Sequence, residues 1–537
     1  MFQKQKLPMF ALYLACSGMA LIGGCASKQE SDTSGQTEKL VLQRMDAKMA
    51  YSMAAPEMAD MIGMPMPESS DSFTHTDINP VKLVSAEPVS TFSADVDTAS
   101  YSYVRRSLND GRLPDKDSVR LEEMVNYFDY QYLLPKNPNK PFSISTYVQD
   151  APWAEGRQLI HIGVQGYELP QTAKPHANLV FLLDVSGSMN APDKLPLLKK
   201  SMQLLLSQLQ DDDTVAIVVY AGAAGVVLPP TPAANKVAIN QALKNLSAGG
   251  STAGAEGIEL AYQLAEEHFD KDGVNRIILA TDGDFNVGLQ SMQELKNYIE
   301  RKRDRGIYLS ILGFGSGNYR DDLMQTLAQN GNGIAAYIDT LSEARKVLVQ
   351  EASSSLFPIA TDLKLQIEFN PARVREYRLL GYETRMLNRE DFNNDKVDAG
   401  DIGSGHSVTA IYEITPVGSK AAMLDDLRYT PSAPISSNSV SDELAFIKLR
   451  YKLPGEDHSR LIEKAVRVNS NDDIATDAGF AASVAGFAQL LKDPRYLQQW
   501  NFEDAIKLAL KNRGDDPYGY RSEFVQLIRA AGTAAPM

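Results

Sequence analysis

The chain has 537 residues, of which 44% are hydrophobic and 23% charged, with a formal net charge of −15. That length holds roughly two to four domains, and the ordinary charged fraction argues against wholesale disorder. So large an acidic excess excludes nucleic acid as the main partner, since phosphate binding needs a basic face. Beyond the N-terminal signal-like stretch no apolar run approaches the ~20 residues of a spanning helix, which excludes a polytopic membrane protein.

The chain opens with Lys4 and Lys6, an apolar stretch over 7–22, and the small pair Gly23-Gly24 before Cys25. A positive start, a short apolar core and small residues at a cut site make a secretory signal over 1–24 rather than a transmembrane anchor. The run Leu21-Ile22-Gly23-Gly24-Cys25 resembles the lipobox of bacterial lipoproteins. The resemblance implies diacylglycerol on the Cys25 sulfur and an acyl chain such as palmitate on its amine, two anchors that together hold a protein stably on a bilayer. An ordinary signal peptide cut nearby is the plainer alternative. Ala26 is not the aspartate that retains such lipoproteins at the inner membrane, so the resemblance points to the outer membrane, facing the periplasm. Cys16 and Cys25 are the only cysteines, and cleavage leaves no pair for an intrachain disulfide.

Residues 25–88 read as a flexible tether. Residues 27–39 are polar, and Met45, Met49, Met53, Met58, Met61, Met64 and Met66 follow. Thioethers suit Cu(I), yet no His or Cys accompanies them, and methionine is a common adaptable apolar residue. Residues 89–173 form an N-terminal flanking segment, with amphipathic helices expected over 91–112 and 119–130 and strands over 142–148 and 158–164. Asp95-Val96-Asp97 approaches the aspartate-nucleophile phosphatase motif, but Ala99 stands where that motif needs Thr or Val. A helix-capping role for Asp97 or Thr98 is the simpler reading.

From 174 to 354 the rhythm changes. Near-continuous apolar runs at 178–183, 214–220, 276–280, 308–313 and 335–338 are strands of the kind buried on both faces. They alternate with helical patterns at 195–209, 255–268, 292–303, 321–329 and 342–353, which implies an α/β fold with a doubly wound, mostly parallel sheet. Such sheets bind ligands at the carboxyl ends of their strands. Asp184-Val185-Ser186-Gly187-Ser188-Met189 follows the first strand, Gly249-Gly250-Ser251-Thr252 precedes a helix, and Thr281-Asp282-Gly283-Asp284 follows a later strand. Asp184, Ser186, Ser188, Thr252 and Asp282 are all hard oxygen donors, a set that selects Mg²⁺, Mn²⁺ or Ca²⁺ over zinc or copper.

DVSGSM, the GGST threonine and the TDGD aspartate resemble the metal-ion-dependent adhesion site (MIDAS) of von Willebrand factor type A (VWA) domains. The resemblance implies that Ser186, Ser188 and Thr252 touch the metal directly or nearly so, with Asp184 and Asp282 in contact or bridged by water. It also implies a protein partner whose acidic residue completes the coordination. DVDTASYSYVRRSLNDG and VRLEEMVNYFDY extend the resemblance to exported bacterial VWA proteins with a dedicated N-terminal segment and a C-terminal extension, covering the chain from about Thr91 onward.

Strand-like patterns return at 364–369, 376–382, 406–414, 444–451 and 462–468, making residues 355–470 a β-rich domain; residues 471–537 are a helical tail. The strands at 142–164 have no partners of their own, so a β-sandwich built from both flanks, with the VWA domain inserted, is expected. Residues 391–398 hint at a calcium loop, but Lys396 holds the turn-glycine position and Ile402 the bidentate-acid position, which favours a solvated acidic hairpin.

No His pair in HExxH spacing, GxSxG elbow or phosphate loop is present, His406 reads as structural, and no small-molecule substrate or catalytic residue is identified. The favoured function is a membrane-anchored, metal-dependent adhesion or scaffold module of the bacterial envelope. A metal-dependent envelope hydrolase and a calcium-sensing accessory of a transport system are the alternatives.

Overall fold

The computed structural model describes residues 71–94, 97–251, 254–283, 292–397, 399–425, 427–428, 442–470 and 472–535. The acylation candidate Cys25, the methionine-dense stretch, Thr252 and Asp284 lie outside these residues.

A six-stranded sheet forms the central domain, in the order Ala335–Ile338, Ile307–Phe314, Val274–Thr281, Ala177–Asp184, Thr214–Tyr220 and Ala224–Pro232. All neighbours are parallel except the last pair. Every residue of Ala177–Asp184 is buried, because helices cover both faces of the sheet. Leu179, Phe181 and Leu183 face the helix Leu195–Leu206, whereas Val180 and Leu182 face the helix Gly254–Glu267. The strand Ala224–Pro232 and the helix Lys236–Asn245 are absent from the sequence reading. Pro229 and Pro230 argue against a strand unless it lies at a sheet edge, and an edge is where this one runs.

The flanks build two antiparallel sheets. One has the order Lys82–Leu83, Val374–Leu380, Ser407–Pro416, Gln158–Gly166 and Phe142–Asp150. In the other, Pro358–Phe369 lies between Glu443–Lys452 and the short strands Val89–Ser93 and Gly400–Gly403, with Arg460–Arg467 outermost. Phe92, Ile162, Val164, Leu365, Tyr412 and Ile447 fill the space between them. Strands from before and after the central domain thus share one core, and the α/β domain is inserted in a β-sandwich made by both flanks.

Three expectations need correction. Residues 91–93 are strand rather than helix, since Phe92 is completely buried in the sandwich core and its backbone pairs with Leu365; the helix begins only at Ala99. The folded body includes part of the stretch read as tether. Val84 is buried, Lys82–Leu83 pairs with the sandwich, and the Asp71 carboxylate accepts from the Tyr319 backbone N–H at 2.8 Å. Asp97 does not cap the helix. It accepts from the Ala335 N–H at 3.0 Å and pairs with Arg385, while Thr98 sits at the cap position without a side-chain bond to the helix.

The C-terminal helices Ala475–Lys492, Phe502–Lys511 and Tyr520–Ala534 are core rather than appendage. Phe480, Phe487 and Phe524 pack with Tyr101, Tyr127 and Phe128 of the N-terminal helices and with Leu380 and Ile411 on the outer face of the first sandwich sheet. At 391–397 lysines supply the positive charge: the Lys364 ammonium donates to the Asn394 carbonyl at 2.8 Å and the Lys452 ammonium to the Asp395 carbonyl at 2.7 Å.

Candidate metal centre

Parallel strands end on the same edge, so the chain after Ala177–Asp184 and the chain after Val274–Thr281 leave the sheet side by side. Asp184 closes the first strand with its side chain wholly buried. One of its oxygens accepts from the Ser186 N–H at 2.8 Å, which folds the loop back over the strand end; the other accepts from the Thr281 hydroxyl at 3.4 Å. The hydroxyls of Ser186 and Ser188 stand 3.0 Å apart, the first buried and the second exposed to solvent. Asp282 follows the second strand directly and is also wholly buried.

The loop before Thr252 is tied to this edge by backbone bonds. Gly187 N–H donates to the Gly250 carbonyl at 3.0 Å and Gly249 N–H to the Val185 carbonyl at 2.8 Å. Gly250 has a positive φ of 84°, and a side chain there would press within 3.1 Å of the Gly222 nitrogen. Gly283, at φ +106°, passes so close to the next loop that a Cβ would lie 2.2 Å from the Asn318 carbonyl oxygen. Both turns therefore need glycine.

Two carboxylates share this buried edge, and the structure adds a residue that the sequence reading missed. Lys194 donates to Asp282 at 2.8 Å, with its side chain only 10% exposed. Its alkyl stem lies over Gly315, where any Cβ would collide with it. The preceding Asp193 pairs with Arg106 of the N-terminal flank at 2.9 Å. Lys194 and Asp282 are far apart in sequence, and only the fold brings them together; no local motif signals the pair. Asp184 has no such ammonium among the described residues. Burial, with the field of Asp282 added, pushes its carboxyl up to about 6.

Two buried acids against one ammonium leave a negative excess. With two hydroxyls beside them and no His or Cys contributing, the donor set fits a hard divalent cation. His161 is buried, hydrogen-bonded to Tyr132 at 2.7 Å, and kept neutral by desolvation, which lowers its pKa to about 3.

Family profiles match three stretches of the chain: "von Willebrand factor" over 67–161, "von Willebrand factor type A domain" over 178–351, and "Uncharacterized protein YfbK, C-terminal" over 354–533. The uncharacterized protein YfbK of Escherichia coli (strain K12) is 42% identical over 502 residues, spanning 92% of this chain and 86% of YfbK. The uncharacterized protein sll0103 of Synechocystis is 30% identical over 167 residues, 31% of this chain and 39% of its own length. Among solved structures, a von Willebrand factor type A protein from Catenulispora acidiphila aligns over 75% of this chain and 91% of its own, with 16% identity and a TM-score of 0.41. By the extent and identity of the match to YfbK, the chain belongs to the YfbK family of bacterial von Willebrand factor type A domain proteins.

Proposed function

We propose that this protein is a divalent-metal-dependent protein-binding module of the bacterial envelope, anchored through acylated Cys25 to the outer membrane and facing the periplasm. The observation that carries the reading is the pair of wholly buried carboxylates, Asp184 and Asp282, beside the Ser186 and Ser188 hydroxyls at the C-terminal edge of the central sheet. Mg²⁺ suits these ligands best, with Mn²⁺ or Ca²⁺ as substitutes. Asp184, Ser186, Ser188, Asp282 and Thr252 would hold it, and the bound ion would supply a Lewis-acidic position for a carboxylate from a protein partner. Among the described members of the set Ser188 is the exposed one, which favours approach of that partner from its side.

The test is affinity capture from envelope extract with the mature protein as bait, in magnesium or in EDTA, comparing wild type with Asp184→Ala. A partner retained by wild type in magnesium and lost both in EDTA and in the variant supports the binding module. Metal-dependent turnover of an envelope substrate would replace it with the hydrolase reading. Anchoring is tested separately: Cys25→Ser should abolish acylation and leave precursor or soluble periplasmic protein. If that variant stays with membranes after a high-salt wash, Cys25 is not the anchor.

A further inference from the structure

The opposite end of the central sheet carries a second unusual charge. Arg276 lies on the interior strand Val274–Thr281, six positions before Asp282 and therefore about 20 Å from the metal edge. The other residues of its strand are mostly apolar, yet this one is arginine, and it is 4% exposed. Its Nη1 donates to the Ser310 hydroxyl at 2.8 Å and to the Asn332 carbonyl at 3.5 Å. Its Nε has no partner, Nη2 makes no hydrogen bond, and no carboxylate lies within ion-pair distance among the described residues. The Tyr308 ring stacks near the guanidinium at 5.3 Å.

This arginine lines a cavity of about 240 Å³ where the central domain meets the sandwich strand Gly400–Gly403. The other charges on its wall are already engaged. Glu351 pairs with Lys346, Arg385 pairs with Asp97 at 3.0 Å, and Asp401 and His406 have partners of their own. Arg276 thus has no contact ion pair among the described residues, and the Asp401 carboxylate on the same wall acts on it only from a longer distance. Burying a guanidinium without a carboxylate in contact is costly, and an apolar side chain at this position would avoid that cost. Desolvation indeed lowers the Arg276 pKa to about 10. Nε is sealed from solvent as well as unpartnered, so the atom left to meet a carboxylate in the cavity is Nη2, which makes no hydrogen bond.

We propose that this interdomain cavity is a binding site for a small organic monocarboxylate, held by Nη2 of Arg276. One guanidinium without a contact ion pair, with Asp401 contributing a negative field on the same wall, favours a monoanion over a phosphate dianion. The volume falls below the ~300–1,000 Å³ of clefts for drug-sized ligands and suits a molecule of metabolite size. The site is independent of the metal edge.

The experiment is thermal unfolding of the mature full chain in EDTA, titrated at constant ionic strength with acetate, propionate, butyrate or inorganic phosphate. Wild type should show a saturable rise in Tm with at least one carboxylate and none with phosphate. Arg276→Met should abolish the rise while keeping the ligand-free Tm equal or higher, because it removes a buried charge without a contact ion pair. Ser354→Leu, which fills the cavity and leaves Arg276 in place, should abolish the rise as well. A phosphate response without a carboxylate response, an unchanged carboxylate response in either variant, or no saturable response to any probe would overturn the proposal.

Discussion

Two regions of this molecule bury acidic side chains and treat them differently. At the seam between the N-terminal helices and the central domain, Arg105 reaches Asp339 and Glu343, and it also contacts Tyr127 and Glu523. Arg120 likewise bridges Glu123 and Asp321. Apart from Glu523, these acids are nearly inaccessible, and each meets a guanidinium. At the candidate metal edge, among the described residues, Asp282 meets the Lys194 ammonium and Asp184 accepts from the Ser186 N–H and the Thr281 hydroxyl, which carry no charge. The seam is charge-matched for docking, whereas the edge retains a negative excess beside two hydroxyls. Only the second arrangement gains from an incoming divalent cation.

The largest effect expected from breaking this contrast is at the seam. Arg105→Ala strands buried carboxylates and should lower the unfolding free energy by about 3–5 kcal/mol, read by denaturant titration. A loss below ~1 kcal/mol would mean that apolar contacts alone hold the helices to the central domain.

Lys194→Met tests the metal edge in two opposite directions. Without metal it removes the ammonium from Asp282 and should cost about 2 kcal/mol, less than the seam because one ion pair rather than several is lost. With Mg²⁺ present, loss of a nearby positive charge should tighten ion binding about tenfold, measured by calorimetric titration. Weaker Mg²⁺ binding in this variant would show that Lys194 organises the ion site instead of competing for its charge.

Glu122 sharpens the comparison, because it too is a buried acid with no cation within ion-pair distance among the described residues. Burial, reinforced by the charge of Glu383, pushes its carboxyl from 4.5 up to about 7. The folded state therefore keeps a proton that the unfolded state releases. Its contribution makes stability fall as pH rises from about 4.5 to about 7, with no further change above. Glu122→Gln should remove that decline, gaining about 1–3 kcal/mol at pH 8 and nothing at pH 4. Equal gains at both pH values would place the effect outside titration. Among the described residues no hydroxyl pair stands beside Glu122 as Ser186 and Ser188 stand beside Asp184, so a buried acid without a cation does not by itself define a metal site.

The central sheet was legible from sequence because strands buried on both faces must be apolar throughout, as 178–183 and 276–280 are. The Asp184, Ser186, Ser188 and Asp282 positions were legible for a related reason: parallel topology delivers strand-end residues to one edge. The strand Val89–Ser93 was not: Val89, Thr91 and Phe92 favour a strand, but the run is short and leads into the helical pattern that follows, and only pairing with Pro358–Phe369 separates the two. Nor were the roles of Lys194 and Arg276, whose environments come from segments distant in sequence. Arg276 did leave one trace, a charge inside an otherwise apolar run. The C-terminal helices read as a tail because their burial depends on the aromatic face of the N-terminal helices, which sequence periodicity cannot place.

The central claim is that the Asp184–Asp282 edge binds a divalent ion, and magnesium-dependent thermal unfolding tests it most directly. If the ion binds only the folded state, Mg²⁺ at ~100 times its dissociation constant adds about 2.7 kcal/mol and raises the unfolding temperature. Asp184→Ala should abolish that rise while leaving the metal-free transition unchanged or slightly higher, because two neighbouring carboxylates repel one another. An equal magnesium response in wild type and Asp184→Ala would place the ion elsewhere and contradict the account.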